Sequence, residues 1–530
     1  MSAPILRHDV AVIGAGHNAL VSAALLARAG LNVGVYEAAD TIGGACRTEY
    51  PFAAAPRLAA STGAYLLGPV PPELLQLLDI RPGRDIHPIR RDPHYFMPTL
   101  DNRYLLLGSD RAASRRQFAE FFSEQDARAS ERLADEIGAI VADVAPAWLQ
   151  PVLSVEDTAA RYLRPHLQQA FIDLVRGSVV DYLAKFDFAS ENVMAMYAVT
   201  DGMPGLSGSP WDPGSGHNFL VHNMCRLPGA DGTWMVSRGG MGAVSAAIAA
   251  KASQYGAQIF TSTPVATIDL SDGTASGITL GGGQQVQAPV VIAGCDVFRL
   301  PQLLAAHCPA ALKADIARWE PRSAGQTMKI NLALRGLPTF RALAEPRGQH
   351  GTTVHLMPEA APDGSLLSAL RKACDDAASG SLESVPPLEW YLHSTLDPTL
   401  QDAQGNHSSA LFIQGVPFRP MNSSWEIERA GYVERVLDLA ERYAPDLRKQ
   451  LVEVQVLAPP DIEDYFAITH GNIHHVDPSF SFTERMPYDT GVPGVFAASA
   501  GCFPSGSVIG AAGHNAARQV LASLALAVDW

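Results

Sequence analysis

A glycine-rich turn near the start of the chain follows an apolar run and precedes a helical pattern. The run at 10–13 predicts a buried parallel strand, and it ends in the pattern G-x-G-x-x-A. Such glycines allow a tight turn and a close backbone approach to a pyrophosphate, and a small third residue lets helix and strand pack. The predicted cofactor-binding residues of this turn are Gly14, Gly16, His17, Asn18 and Ala19.

The elements after this turn complete a βαβ unit. Residues 20–29 predict a helix rich in Ala and Leu, and residues 32–36 predict a second strand that ends at Glu37, 23 residues after Gly14. The helix N-terminus offers free N–H groups and the positive end of its dipole to phosphates. A carboxylate at Glu37 accepts both hydroxyls of an adenosine ribose and repels a 2′-phosphate, so NADP is disfavoured.

A second small-residue segment follows the acid. Gly43 and Gly44 allow the backbone to wrap a cofactor, and Arg47 then reaches its phosphates or its ring region. We therefore assign Gly43, Gly44 and Arg47 to the cofactor site.

The C-terminal stretch repeats the order of strand, glycine-spaced turn and helix. Residues 492–501 predict a turn and a buried strand, residues 504–517 are rich in small residues, and a helix is expected to run to about residue 526. A helix N-terminus there suits the electron-rich pyrimidine edge of a flavin, because it stabilises negative charge that grows during reduction. The candidate residues of this segment are Gly501, Ser507, Val508 and Ile509.

The bulk composition excludes several classes of protein. The 530 residues predict two or three domains, and a net charge of −15 disfavours nucleic acid as the main partner. The six cysteines form no C-x-x-C pair, which predicts neither a zinc site nor a disulfide framework and favours a cytoplasmic protein with reduced thiols. No signal peptide is expected. The sequence contains no run of 18 apolar residues, so no membrane-spanning helix is predicted.

The middle of the chain alternates helical and strand patterns. Residues 109–177 predict an inserted helical block, whose apolar faces pack in the core or contact a membrane surface, whereas residues 201–233 predict a loop. Other predicted helices are 243–254 and 425–443, and predicted strands are 258–270, 275–280, 290–294, 328–334 and 411–416.

A group of histidines near the C-terminus has three readings. His470, His474 and His475 lie close to Asp477, but Gly471 and Asn472 break the helix that would place two imidazoles on one face, so no metal site is predicted. Two interpretations of these histidines remain. They line the cofactor or substrate site, with His475 as the candidate catalytic residue, or they belong to an ordinary loop.

Three further side chains are weaker candidates. His217 and His222 are candidate bases, and Cys502 lies near the predicted flavin. A small buried thiol is the default interpretation of Cys502, with a covalent flavin tether as the alternative.

With both cofactor motifs in view, the sequence resembles the phytoene-desaturase-like flavoproteins, and most closely their phytoene-dehydrogenase-related branch. The larger group also holds amine oxidases and Rab GDP-dissociation inhibitors. The matching pieces span most of the chain: 12–20, Glu37 with 43–47, 232–244, 329–338, 471–475 and 494–517.

The resemblance implies FAD and an α/β fold in which a discontinuous Rossmann-like FAD-binding domain interleaves with a mixed sheet-plus-helix substrate domain. The implied FAD domain comprises residues 1–75, 232–300 and 456–530, and the substrate domain comprises 76–231 and 301–455. Gly240, Met241 and Val265 are added as cofactor contacts. Lys329 aligns with the strand lysine that holds a water near the flavin in amine oxidases; the alternative is a strand-edge lysine paired with a carboxylate.

The implied activity is removal of a hydride and a proton from a small apolar molecule, followed by reoxidation of the flavin by oxygen or a quinone-like acceptor. Alternatives are an amine or amino-acid oxidase and, less favoured, a non-catalytic escort like the GDP-dissociation inhibitors. Peripheral membrane contact and a homo-oligomer are further expectations.

Overall fold

The computed structural model describes residues 6–361, 364–383 and 385–527. Its strands lie in four sheets, and the order of the strands along the chain differs from their order in space. The strands are β1 (Leu6–Arg7), β2 (Val10–Ile13), β3 (Val33–Tyr36), β4 (Pro88–Ile89), β5 (Tyr95–Pro98), β6 (Tyr104–Leu107), β7 (Val236–Ser237), β8 (Gln258–Phe260), β9 (Val265–Ser271), β10 (Thr274–Leu280), β11 (Gln285–Gln287), β12 (Val290–Ala293), β13 (Thr327–Leu334), β14 (Thr353–Leu356), β15 (Leu388–Tyr391), β16 (His407–Gln414), β17 (Leu451–Leu457) and β18 (Val495–Ala497).

The helices pack mainly around the sheets and in one block of the middle chain. A π-helical turn, Ala198–Gly202, directly follows the helix Glu191–Tyr197. The α-helices are α1 (His17–Arg28), α2 (Pro72–Leu77), α3 (Arg111–Phe121), α4 (Glu124–Val144), α5 (Val155–Tyr162), α6 (Gln168–Arg176), α7 (Val179–Ala184), α8 (Glu191–Tyr197), α9 (Ser215–His222), α10 (Gly242–Gln254), α11 (Leu300–Leu304), α12 (Ala310–Trp319), α13 (Leu366–Ser379), α14 (Trp425–Tyr443), α15 (Leu447–Gln450), α16 (Pro459–Phe466) and α17 (Ala511–Ser523).

A five-stranded parallel sheet forms the base of the cofactor motif. Its order is β18-β12-β2-β3-β8, so strands from both ends of the chain lie side by side. All residues of β2, β3 and β12 are buried, as expected of parallel strands covered on both faces. Helix α1 packs against α10 and α17 on this sheet.

A seven-stranded sheet, ordered β17-β13-β16-β15-β14-β5-β6, forms the second large layer. Its neighbours are antiparallel except for the parallel pair β14 and β5. One face carries Met328, Ile330, Leu411 and Trp390 and packs with α14 in a separate apolar core. The division into interleaved domains proposed from the sequence stays a prediction.

The structure confirms the predicted α/β class and most elements, including the helix at Trp425–Tyr443, whose bounds match. The predicted strand at 258–270 is wrong as a single element, because Ser262 has φ +52° and Pro264 follows it. The chain therefore leaves the parallel sheet after β8 and enters a different sheet at β9, where β9 pairs antiparallel with β10.

The predicted loop at 201–233 is also partly wrong, because α9 occupies Ser215–His222. Its residues have low helix propensity, but the helix packs closely against α6: a Cβ on Gly216 would lie 1.9 Å from the Leu174 carbonyl oxygen. Tertiary packing outweighs propensity here.

In the described part of the chain, none of the helices combines the length and the apolar character that crossing a bilayer requires.

Candidate flavin and substrate site

The turn after β2 has an open face next to the N-terminus of α1. Gly14 has φ +88°, a conformation that favours glycine, and a Cβ placed on Gly16 would meet no atom within 4 Å. The His17 Nε2 and Asn18 Oδ1 atoms are buried and have no hydrogen-bond partner within the described residues. A ligand with polar groups would satisfy these two atoms.

The Glu37 carboxylate is fixed at the end of β3 by two backbone N–H groups. Oε2 accepts from the Ala15 N–H at 2.6 Å, and Oε1 accepts from the Ala39 N–H at 2.9 Å. The loop after β8 also binds this strand end, since the Thr263 N–H donates to the Glu37 carbonyl oxygen at 2.7 Å. The acid is therefore held in one position beside the glycine turn.

A cavity of about 750 Å³ begins at this turn and continues to the seven-stranded sheet. Its walls bring together residues from all parts of the chain. Of the predicted cofactor-binding residues and the two main catalytic candidates, those that line the cavity are Gly14, Gly16, His17, Asn18, Glu37, Gly43, Gly44, Val265, Lys329, His475, Ser507 and Val508.

Six other predicted residues lie behind the cavity wall. Arg47 points toward the rings of Tyr465 and Phe466, with its Cζ 4.9 and 4.8 Å from their centroids. Ala19 packs against Gly294 at the end of β12. Four more are buried and do not line the cavity: Gly240, Met241, Gly501 and Ile509.

Gly240 and Met241 support the loop that carries the second glycine pair. The Met241 N–H donates to Ser61 Oγ at 3.0 Å, and its carbonyl accepts from Cys46 Sγ at 3.3 Å. A Cβ on Gly240 would lie 2.4 Å from Thr48 Oγ1, so this position accepts only glycine without rearrangement.

Lys329 lies on an interior strand of the seven-stranded sheet, because β13 pairs with both β16 and β17. Its Nζ donates to the carbonyl oxygens of Ser61 at 2.5 Å and Gly63 at 2.6 Å, and lies 4.7 Å from the centroid of the Tyr65 ring. The alternative of a strand-edge lysine paired with a carboxylate is therefore wrong. Burial holds the pKa of Lys329 well below its usual value, and the charge of Glu49 opposes this shift.

The sheet face opposite the apolar core is polar and faces the cavity. Cross-strand register places Lys329 beside Phe412, Phe412 beside Glu389, and Glu389 beside His355. All four residues line the cavity. The alternating pattern of 328–334 thus reflects a strand buried on both faces, one against the core and one against a cavity.

Two acidic side chains of the cavity wall have raised pKa values. Glu389 accepts hydrogen bonds from Gln414 Nε2 at 3.0 Å and from the Tyr391 hydroxyl, and burial raises the pKa of Glu389 to about 8. Burial also raises the pKa of Asp201, in the π-helical turn, to about 7. Neither acid is among the residues predicted from the sequence; a Glu inside the apolar strand Leu388–Tyr391 was the available indication.

The predicted histidines separate in the structure. His475 lines the cavity near His17, and burial lowers the pKa of both side chains, that of His17 to about 4. His474 also lines the cavity, with Nε2 3.2 Å from the Pro204 carbonyl oxygen, whereas His470 lies outside the wall and contacts Ser323 Oγ at 2.7 Å. Within the described residues, no three His, Cys, Asp or Glu side chains are arranged to hold a metal ion.

The weaker candidates also have defined positions. His222 lines the cavity, whereas His217 lies outside its wall with Nδ1 2.9 Å from the Pro478 carbonyl oxygen. Cys502 is fully buried outside the wall, and burial raises the pKa of its thiol to about 12.

Comparison with known proteins identifies the family. The model for flavin containing amine oxidoreductases matches residues 20–368. The chain belongs to this family. It is therefore an FAD-dependent oxidoreductase, as the resemblance implied.

Relatives of this flavoprotein cover nearly the whole chain. Pyridine nucleotide-disulfide oxidoreductase domain-containing protein 2 of Mus musculus is 34% identical, over 98% of this chain and 94% of the relative. Hydroxyneurosporene desaturase of Cereibacter sphaeroides is 25% identical, over 97% of this chain and 98% of the relative. The structure of a putrescine oxidase with bound putrescine shares the fold, with a TM-score of 0.58 and 16% identity over 98% of this chain and 100% of that one.

The residues of the glycine turn fit FAD. The open face at Gly16, the fixed Glu37 carboxylate and the unpartnered buried atoms of His17 and Asn18 suit the adenosine and pyrophosphate of such a cofactor. Ser507 and Val508 would face its ring system from the C-terminal segment. When bound, FAD supplies a two-electron acceptor for a substrate C–H bond.

Proposed function

We propose that this FAD-dependent oxidoreductase removes a hydride and a proton from a largely apolar small molecule, as a dehydrogenase or desaturase. Oxygen or a quinone-like carrier is the proposed final electron acceptor. The observation that carries the proposal is the continuity of one cavity from the glycine turn, past Lys329, to a wall rich in apolar side chains. Members of that wall are Tyr65, Leu66, Met196, Trp234, Phe412, Leu457, Ile462 and Ile473.

The chain's own groups would position the substrate and remove the proton. The aromatic pair Tyr65 and Tyr391, with ring centroids 4.4 Å apart, narrows the cavity beside Lys329. His475, unpartnered at Nδ1 within the described residues and neutral at pH 7 because burial lowers its pKa, is the candidate acceptor for the proton.

An amine oxidase is the second candidate, and one observation favours it. An amine substrate would need an aromatic cage or a carboxylate, and Tyr65, Tyr391 and Glu389 lie together in the cavity wall. The raised pKa of Glu389 weakens this candidate, since a protonated acid attracts an ammonium group poorly.

An anaerobic photometric screen tests the proposal. The FAD-loaded protein is mixed with carotenoid-like, steroid-like and amine compounds, and loss of the visible flavin absorbance is followed. We expect bleaching by largely apolar C–H donors. Bleaching by amines alone, with peroxide release in air, would establish the second candidate instead.

A matched pair of variants locates the substrate in the cavity. Phe412→Trp adds bulk to the wall beside Lys329, whereas Ile427→Trp adds it to a side chain that is 74% exposed on α14. Only Phe412→Trp should slow bleaching, at unchanged FAD content. Equal rates in both variants would place the substrate elsewhere. Membrane contact and homo-oligomer formation stay predictions.

A further inference from the structure

Arg91 is a buried cation in the same cavity wall. Arg91 lies in the connection between β4 and β5 and is only 5% exposed. Nε donates to the Trp234 carbonyl oxygen at 2.7 Å, and Nη1 donates to Thr353 Oγ1 at 2.6 Å. Both partners are uncharged, so these hydrogen bonds orient the guanidinium without neutralising it.

No carboxylate in the described residues lies within salt-bridge distance of Arg91. Its Nη2 makes no hydrogen bond within the described residues. This atom is not fully buried, and Arg91 lines the cavity, so Nη2 is open to the cavity. A buried charge without a counter-ion is costly, and an anion that enters the cavity would remove this cost.

The neighbouring acids Glu389 and Asp201 carry less negative charge at neutral pH than exposed carboxylates do, because burial raises the pKa of each. Burial raises the pKa of Glu389 to about 8 and that of Asp201 to about 7, and both Glu389 oxygens already accept hydrogen bonds from Tyr391 and Gln414. Burial also lowers the pKa of Arg91, but a guanidinium stays protonated in proteins. The result is a positive site flanked by groups that donate hydrogen bonds when protonated.

We propose that Arg91 binds a carboxylate at one end of the substrate, so that the substrate is an apolar molecule with an anionic end. This inference rests on the proposed function only in taking the cavity as the substrate site. It is independent of whether the oxidised bond is C–C or C–N.

The sheet register separates the anion site from the site of oxidation. Thr353, the partner of Arg91, lies on β14, three strands away from Lys329 on β13. At the usual strand spacing this is about 14 Å across the sheet. If the carboxylate binds beside Thr353 and the reacting bond lies beside Lys329, the apolar body of the substrate would lie between them.

Three ligands with one apolar body test the charge preference. Decanoate, decanol and decylamine differ only in their end group, and their binding to the FAD-loaded enzyme is measured by isothermal titration calorimetry. Charge-assisted hydrogen bonds to Arg91 should make decanoate bind about ten- to a hundredfold more tightly than decanol. Decylamine should bind most weakly. This comparison requires no variant and so does not depend on a variant's folding.

Two adjacent arginines provide the matched variants. Arg91→Met should reduce decanoate affinity to that of decanol, and Arg91→Lys should retain part of the preference. Arg90→Met is the control, because Arg90 is 40% exposed at its side chain and pairs with Asp231 at 2.5 Å. Flavin absorbance and the unfolding temperature verify that each variant folds.

Four results would each overturn the anion site. Three concern the wild type: equal binding of decanoate and decanol, tighter binding of decylamine, or no binding of any of the three ligands. The fourth is an unchanged preference for decanoate in Arg91→Met. Failure of the proposed function has a different signature. Decanoate would bind with the expected preference while no compound of the anaerobic screen bleaches the flavin.

Discussion

Lys329 shows how burial and contact geometry define the character of one residue. Its ammonium group has two backbone carbonyl acceptors and an aromatic ring, but no carboxylate within salt-bridge distance in the described residues. Burial shifts the equilibrium of this group toward the neutral amine, which lowers its pKa. If Lys329 faces the flavin, as the resemblance implies, its positive charge would stabilise the negative charge formed when oxygen is reduced, so the charge state of Lys329 should control reoxidation.

Lys329→Met should slow reoxidation of the reduced enzyme by oxygen by about a hundredfold, a typical effect of one positioned electrostatic group. FAD affinity should remain unchanged. The ammonium is present below the lowered pKa and is lost as pH rises through it, so the wild-type rate should fall with rising pH. The variant's rate should be independent of pH over that range. Stopped-flow absorbance measures both rates.

The control for this variant is Lys313→Met, which removes an exposed lysine on α12. It should reoxidise like the wild type. Reoxidation of Lys329→Met at the wild-type rate would show that Lys329 has only a structural role.

At the scale of elements, the contact between α1 and α17 connects the two ends of the chain at the cofactor site. The Ser22 hydroxyl donates to the Gly513 carbonyl at 2.8 Å. A Cβ on Gly513 would lie 2.0 Å from the Asn18 carbonyl oxygen and 2.9 Å from Val21 Cβ. The helices approach this closely only because position 513 has no side chain.

Gly513→Ala should therefore force α17 away from the glycine turn. We expect a loss of about 1–3 kcal/mol in the free energy of unfolding, typical of overpacking, together with weaker FAD retention. Denaturant unfolding and the flavin content after gel filtration measure the two effects.

Gly431→Ala provides the comparison in an exposed helix. Gly431 lies in α14, and a Cβ there would meet no atom within 4 Å. This variant should gain about 0.5–1 kcal/mol through helix propensity. If both variants had the same stability, the close approach of α1 and α17 would not be important for the fold.

At the scale of the whole molecule, buried ionisable groups make stability depend on pH in two opposite directions. Burial lowers the pKa of His17, His222 and His514 to about 4, below the unfolded value of 6.5. The unfolded chain then binds more protons, so the free energy of unfolding falls as pH decreases from about 6.5 toward 4. Asp201 acts oppositely, because its folded pKa is about 7 and its unfolded value is 3.8.

Asp201→Asn should remove the loss of stability that accompanies ionisation of this acid. The folded wild type binds the extra proton, so its stability falls as pH rises from about 4 to about 7. Relative to the wild type, the variant should gain about 2–4 kcal/mol between about pH 4 and pH 8. Unfolding curves at several pH values measure this difference.

Asp135→Asn is the matched control, since Asp135 is exposed on α4. Its stability should follow the pH dependence of the wild type. A constant difference between Asp201→Asn and the wild type across this range would contradict a raised pKa at Asp201.

The amino-acid sequence by itself determined the cofactor motif, the α/β class and the main local elements. Contiguous residues carry that information: the strand at Val10–Ile13, the glycine turn and Glu37 form one βαβ unit, and the periodicity of Trp425–Tyr443 specifies a helix. Local geometry and propensity are sufficient for such features. The family resemblance also selected Lys329 before its contacts were known.

Only the tertiary structure decided which of these residues share a cavity and what faces them. Arg91, Asp201, Glu389 and His355 are far apart in sequence, and each has an ordinary local context. Strand pairing places Glu389 and His355 on one face of one sheet, because alternate residues of neighbouring strands align only through long-range register. Packing of the β4–β5 connection and of the π-helical turn brings Arg91 and Asp201 to the same cavity. Close approach likewise replaced the predicted loop with α9 and placed Arg47 behind the wall. Burial, which raises or lowers each pKa, is a property of the assembled fold and has no counterpart in local sequence.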